Sequence, residues 1–160
     1  MRYKTLKSGL KSGLGDCTWI VGEWRRIDGP LALCVRGFHC SERILDAMGY
    51  VAPDAIAEVD VAGNHIDADD KQVWSEMRLV RVWEWTKIDS VALAVFSARK
   101  VLHLYEKRYR NDDRVRKAIE AAEKWVENPT VENESAARSA GGKAKDEIES
   151  WIRQRIGIVQ

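Results

Sequence analysis

The spacing of apolar residues along the chain changes once, near residue 86. Up to Trp85 these residues alternate with polar ones, as in half-buried strands, and after Lys87 they recur at helical spacing. The pattern predicts an α+β fold, in which an antiparallel sheet of about five strands and one short helix packs against three C-terminal helices.

The β-rich part covers residues 1–87. Alternation is clearest over 55–61 and 73–85, and the second segment places Met77, Leu79 and Trp83 on one face. Segments 17–24 and 31–35, separated by a turn, predict a hairpin. A short helix is expected over 42–50 behind Ser41 as a candidate N-cap.

The helical part covers residues 88–160. A wide apolar stripe from Val91 to Tyr109 predicts a helix buried between two neighbours, and it favours one core shared by both parts. Asp112 and Asp113 are expected at the start of the second helix, and Pro129 or Thr130 at the start of the third. The pattern of the third helix resumes late, at Ile148, Trp151, Ile152 and Ile156.

Composition narrows the class of protein. The 26 Lys and Arg residues nearly cancel the 25 Asp and Glu residues, which argues against a nucleic-acid binder. No apolar run is long enough for a membrane span, and the first residues lack the apolar core of a signal peptide. We therefore expect a cytoplasmic protein with reduced cysteines, which number three.

Soft metal ligands cluster at Cys34, His39 and Cys40, with Cys17 apart from them. Structural zinc sites use ligand pairs two to four residues apart, and this spacing does not supply them. We expect no metal and no cofactor, and we interpret these residues as packed thiols beside a polar histidine.

His39, Cys40 and Glu58 are the candidates for a ligand pocket. A cysteine nucleophile would need a base held nearby, and nothing in the sequence brings Cys40 and a histidine together, so no catalytic residue is assigned. The run 37–41, followed by Ala47 and Tyr50, resembles the strand-then-helix unit of ADP-ribosyltransferases. That resemblance implies NAD binding, with Glu58, Glu76 or Glu84 as the partner carboxylate.

Seven tryptophans are present, mostly in the β-rich half. Tryptophan anchors many protein interfaces, but in a small domain a core position is the more frequent role. Trp83 and Trp85, if exposed, are the expected docking residues.

Two stretches resemble known families. Gly22-Glu23-Trp24, Gly29-Pro30-Leu31, Cys34-Val35-Arg36-Gly37-Phe38-His39-Cys40 and the strand 57–63 resemble an uncharacterised family common in phage and bacterial genomes, over about residues 3–85. The runs 101–107 and 112–122 resemble the immunity-protein family of bacterial toxin loci, over about 88–125. This second resemblance implies binding to another protein, with Arg114 and Arg116 near a helix-helix corner.

These observations favour a non-enzymatic protein-binding module of phage or prophage origin. It would inhibit a host or competing-phage factor, as a host-defence antagonist does, with Trp83, Trp85, Arg114 and Arg116 as interaction candidates. The alternative is a small-ligand or nucleotide-binding protein, including a degenerate NAD-dependent ADP-ribosyltransferase-like enzyme. A third possibility is a structural component of a virion.

Overall fold

A computed structural model describes residues 1–14 and 17–141. The chain separates into two compact units, Met1–Thr86 and the part from Lys87 onward, so the boundary lies where the apolar spacing changes. A core shared by the two units stays a prediction. The expected helical positions Ile148, Trp151, Ile152 and Ile156 lie outside the described residues.

The first unit contains the predicted five-stranded antiparallel sheet, and the α+β fold is confirmed. Its strands are β1 (Arg2–Leu6), β2 (Arg25–Arg26), β3 (Phe38–Cys40), β4 (Ala55–Asp67) and β5 (Gln72–Glu84). The order is β1-β4-β5-β2, and β3 also pairs with β5. The short helix α1 (Ile44–Met48) connects β3 to β4.

The sheet rolls up because the residue after β3 reaches back to β1. Strands β2 and β3 share the edge of β5 opposite β4, with His39 facing Val73. Ser41 then exchanges both backbone hydrogen bonds with Tyr3, at 2.8 and 2.9 Å. This link encloses an apolar core of Leu6, Trp19, Cys40, Ala55, Ala57, Val59, Met77 and Leu79.

A β-bulge in β5 reverses the faces of its last residues. Glu58 pairs with Arg81 but the next residue, Val59, pairs with Leu79, which leaves Val80 with no residue opposite it. One extra residue moves every later side chain to the other face. The prediction that Trp83 shares the face of Leu79 was therefore wrong, and Trp83 is 44% exposed.

Three local predictions in the first unit were also wrong. The expected hairpin of 17–24 with 31–35 does not form, since 31–36 is a turn closed by a bridge between Ala32 and Arg36. Ser41 does not cap α1, because the helix begins at Ile44 and its N-cap position belongs to Arg43, with no side-chain cap hydrogen bond. The sequence also predicts that Gly63 and Asn64 end the strand that begins at Ala55, but β4 continues to Asp67 through an irregularity between Ala62 and His65.

The second unit is helical. Helix α2 (Lys87–Arg108) and helix α3 (Arg114–Glu127) are joined by a short turn, and residues 131–141 are helical as well. Arg99 on α2 donates two hydrogen bonds to Glu123 on α3, at 2.7 and 2.5 Å. No helix in the described ranges combines the length and apolarity that crossing a membrane requires.

Fewer apolar side chains of α2 are buried than the width of its apolar stripe suggests. Leu102 is buried, whereas Phe96, Val101 and Leu104 are exposed by 60, 55 and 59%. Contact with α3 therefore leaves Phe96 and Val101 of the predicted stripe exposed, and burial of the stripe between two neighbours, like the shared core, stays a prediction.

Candidate functional site

A cavity of about 290 Å³ opens in the first unit beside β1 and β3. Its lining includes Tyr3 and Lys4 from β1, and Phe38, His39 and Cys40 from β3. The closure of β3 onto β1 through Ser41 positions these two strands side by side. Part of the cavity wall is therefore formed by two segments that lie far apart in the sequence and are paired through Tyr3 and Ser41.

Lys4 is the charged residue deepest in this pocket. It shares the inward face of β1 with Leu6, two residues on, which is fully buried. Its Nζ donates a hydrogen bond to the carbonyl oxygen of His39 at 3.1 Å and lies 5.5 Å from the centre of the Trp19 ring. Desolvation lowers the pKa of Lys4 from 10.5 to about 8, against smaller opposing effects of Cys40 and Cys17.

Cys40 is a buried, protonated thiol. Desolvation raises its pKa from 9.0 to about 11, although the positive charges of Lys4 and Arg2 act in the opposite direction. Because the thiolate is the reactive form, a thiol with this pKa is a poor nucleophile at neutral pH. Cys40 therefore contributes packing and a soft, polarisable wall to the pocket.

His39 holds the loop that precedes β3. Its Nε2 accepts a hydrogen bond from the backbone N–H of Cys34 at 2.9 Å. Desolvation, followed by the positive charges of Lys4 and Lys71, lowers the pKa of His39, and a hydrogen bond with the backbone of Gly37 opposes this shift. The imidazole is thus neutral at pH 7, and its role in this geometry is to order the loop.

The backbone conformation and close packing at residue 37 explain why the Cys-x-x-Gly-Phe-His run has a glycine there. Its φ is +124°, a conformation that L side chains rarely adopt. A Cβ there would lie 2.3 Å from Cγ2 of Val73 and 3.3 Å from the backbone oxygen of Trp74. Glycine therefore allows the loop to enter β3 in close contact with β5.

Lys71 and Cys34 occupy the outer part of the pocket. Lys71 Nζ lies 2.8 Å from Cys34 Sγ and 4.3 Å from the centre of the Tyr50 ring. The Tyr50 hydroxyl donates a hydrogen bond to Asp70 at 2.5 Å. A second cation is thus held at the mouth of the pocket by contacts with an exposed thiol and an aromatic ring.

The structure brings together two of the three pocket candidates. His39 and Cys40 line the cavity, whereas Glu58 alternates with the buried Ala57 and Val59 on β4 and is not among the lining residues. Within 1–14 and 17–141, no group of three or more His, Cys, Asp or Glu side chains is arranged to hold a metal ion. The thiols Cys17, Cys34 and Cys40 are all free.

The interaction candidates lie in different surroundings. Trp83 is 44% exposed and stacks near Arg81, at 5.6 Å from its guanidinium carbon, while Trp85 is half-buried. Arg114 donates hydrogen bonds to both carboxylate oxygens of Asp112 at 2.9 Å, and Arg116 forms an ion pair with Glu106. Both arginines thus form ion pairs at the corner between α2 and α3, and their role as interaction residues stays a prediction.

Sequence reasoning missed Lys4, and it missed the exposed surface of α2. Lys4 precedes the core residue Leu6 by two positions in β1, and residues two apart in a strand lie on the same face. This alternation could have indicated that Lys4 faces inward. The exposure of Phe96 and Leu104 had no local signal, since an apolar stripe has the same spacing whether it is covered or open.

Comparison with known families divides the chain in the same way as the apolar spacing. A family described as Domain of unknown function (DUF7666) matches residues 1–90. A second, described as Imm-5 like putative immunity protein, matches residues 82–152. No curated protein matches the chain significantly, and neither does any solved structure. The two-part resemblance inferred from sequence is confirmed at the level of these families.

Proposed function

We propose that this chain, which belongs to the DUF7666 family of domains of unknown function, acts by binding another protein and blocking it, without catalysing a reaction. The match of residues 82–152 to an immunity-protein family is the observation that carries this proposal. An immunity function needs a recognition surface rather than a catalytic set, and the second unit offers such a surface.

That surface is the exposed face of α2, formed by Phe96, Lys100, Val101 and Leu104. Phe96, Lys100 and Leu104 are four residues apart and lie along one line of the helix. Lys100 Nζ lies 5.1 Å from the centre of the Phe96 ring. Exposed apolar side chains grouped on one face are typical of an interaction site, whereas scattered ones are not.

The charges around this face indicate the chemistry of the partner. Lys100, Lys107 and Arg108 provide positive charge along and beyond the exposed face. Helix α2 carries only two acids, Asp89 in its first turn and Glu106, which is paired with Arg116. We infer that the partner presents an apolar patch surrounded by acidic side chains, because opposite charges steer association and set orientation.

Trp83 provides a second proposed contact residue, because its ring is accessible and tryptophan is enriched among energetically dominant interface residues. Arg114 and Arg116 are proposed to act indirectly, since their ion pairs maintain the corner between the two helices. Trp85, half-buried, is proposed to support the residues around Trp83.

The proposal is tested by capturing a partner from bacterial lysate with the tagged full chain and then measuring affinity with both proteins purified. Phe96→Asp should weaken binding by about 30-fold or more, as expected for a central aromatic anchor. Val131→Asp is the matched control, since Val131 is also an exposed apolar residue at 86% but lies outside α2. It should keep the wild-type affinity.

Repeated captures without a reproducible partner would contradict the proposal. Equal affinities of wild-type protein and Phe96→Asp would show instead that a partner exists but uses another surface. In that case Trp83→Ala, tested against the same purified partner, determines whether the first unit provides the contact.

We also propose a phage or prophage origin and a cytoplasmic site of action, with a host or competing-phage factor as the target. Support for the phage origin comes from the resemblance of residues 3–85 to a family common in phage genomes. Neighbouring genes of phage type are the expected genomic context. A consistent context of chromosomal housekeeping genes would argue against this origin.

A further inference from the structure

The pocket beside β1 and β3 combines one inner cation with apolar and aromatic walls. Lys4 lies within it, and Phe38, Val51 and the two tyrosines Tyr3 and Tyr50 contribute to its lining. Among the described residues that line the pocket, Lys4 and Lys71 carry positive charge and none is Asp or Glu; Asp70 lies outside this lining, on the hydroxyl of Tyr50. A charge that is removed from water and left without a counter-charge is unfavourable, and a bound anion would relieve this cost.

Lys4 has unused hydrogen-bonding capacity. An ammonium group has three N–H donors, and within the described part of the chain only the His39 carbonyl oxygen accepts one from Lys4, at 3.1 Å. Part of the Lys4 side chain remains accessible, although the group lies among core residues. The remaining donors are therefore available to a ligand that enters the cavity.

The size of the cavity restricts the ligand. A volume of about 290 Å³ lies at the lower end of the range for small-molecule sites, about 300–1,000 Å³. A compact organic acid suits a pocket of this size. The apolar walls require a body that is itself apolar, and the single inner ammonium group suits one negative charge.

We propose that this pocket binds a small organic carboxylate, whose carboxyl group accepts hydrogen bonds from Lys4 Nζ and whose apolar body contacts Phe38 and the tyrosine rings. Lys71 at the mouth adds a second positive charge that attracts the anion toward the cavity. His39 acts as a positioning residue, because it presents its carbonyl to Lys4 while its ring holds the Cys34 loop. This site lies within the first unit, and ligand binding there does not require a protein partner.

Benzoate is a suitable probe, and benzamide is its uncharged counterpart of nearly equal shape. Calorimetric titration of the full chain should show benzoate binding that is about tenfold or more tighter than benzamide binding, since a charged hydrogen bond is lost in the amide. Lys4→Met should reduce benzoate affinity by a similar factor. Lys7→Met is the matched control, because Lys7 is an exposed lysine near the end of β1 and lies outside the pocket.

A protection experiment on the unmutated protein keeps the test independent of how Lys4→Met folds. Benzoate should slow acylation of Lys4 by an amine-reactive reagent, measured by mass spectrometry of peptides, and should leave Lys7 unaffected. Equal affinity for benzoate and benzamide, full benzoate binding by a folded Lys4→Met variant, or no protection of Lys4 at saturating benzoate would each overturn the proposal.

Discussion

Replacing Lys4 by Met should stabilise the first unit, because the wild-type protein folds with an ammonium group in a largely desolvated position. The fall in the pKa of Lys4 from 10.5 to about 8 corresponds to a cost of about 3 kcal/mol at neutral pH. Met has a similar length and no charge, so it removes this cost. It also removes the hydrogen bond to the His39 carbonyl, worth about 1–2 kcal/mol. The expected net gain is about 1–2 kcal/mol in the free energy of unfolding.

The same cause predicts a pH dependence. Since the pKa of Lys4 is lower in the folded state, the unfolded state binds more protons as the pH rises from about 8 to 10.5, and stability increases with pH there. Between pH 7 and 9 the wild-type protein should gain about 1 kcal/mol from this group. Above pH 9 the raised pKa of Cys40 acts in the opposite direction, because the unfolded thiol loses its proton first.

Hydrogen exchange of amides in β4, followed over a urea series at pH 7 and pH 9, measures the stability of the first unit by itself. Lys4→Met should show higher stability at pH 7 and a smaller rise toward pH 9 than the wild type. Lys7→Met, at an exposed position whose Nζ bonds the Ala52 carbonyl oxygen, should follow the wild-type profile. A loss of more than about 1 kcal/mol in Lys4→Met at pH 7 would refute the reasoning, because the buried charge would then be a net stabilising group.

Two further predictions concern the loop before β3 and the corner between the helices. Gly37→Ala should destabilise the first unit by about 2–4 kcal/mol in the same exchange assay, since its Cβ would collide with β5. Gly9→Ala, at a positive φ with no atom within 4 Å of the added Cβ, should cost only about 1 kcal/mol. Hydrogen bonds, led by those from the Arg114 side chain, lower the pKa of Asp112 from 3.8 to about 2. The ionised Asp112 therefore stabilises the folded second unit fully above pH 3.8, the pKa in the unfolded chain, and this stabilisation is lost as the pH falls toward 2. The thermal midpoint of the second unit should therefore fall less between pH 4 and pH 2 in Asp112→Asn than in the wild-type protein. Asp113→Asn is the control and should show the wild-type fall. An equal fall of the midpoint in both variants would contradict this assignment.

The elements that the sequence predicts well are those with long, regular spacing. Strands β4 and β5 and helices α2 and α3 follow the alternating and helical patterns, and their bounds differ from the predicted ones mainly at the ends. Short elements were harder, because in segments such as 17–24 and 31–35 turn geometry outweighs β propensity. The turn around Cys34, with φ of +62°, replaces the expected strand.

The pocket was predictable in part. His39 and Cys40 were selected as a cluster of polar and soft side chains, and both line the cavity. Glu58 was selected because a carboxylate suited the proposed chemistry. It lies on the outward-facing side of β4, and this separates it from His39 and Cys40. Lys4 was not selected, although it lines the cavity. A lysine near the N-terminus is expected on the solvated surface until the pairing partners of its strand are known.

The sequence by itself determined which segments form strands and which form helices, the change from one to the other near residue 86, and the two families that the chain resembles. These properties depend on the period of side chains along a few consecutive turns or strand residues, and the order of residues is sufficient to define them. Tertiary structure alone decided the face of Trp83, the pairing of Ser41 with Tyr3, and the desolvation of Lys4. Each of these depends on hydrogen bonds or burial between residues far apart in the chain, where a shift of one position reverses the environment of a side chain.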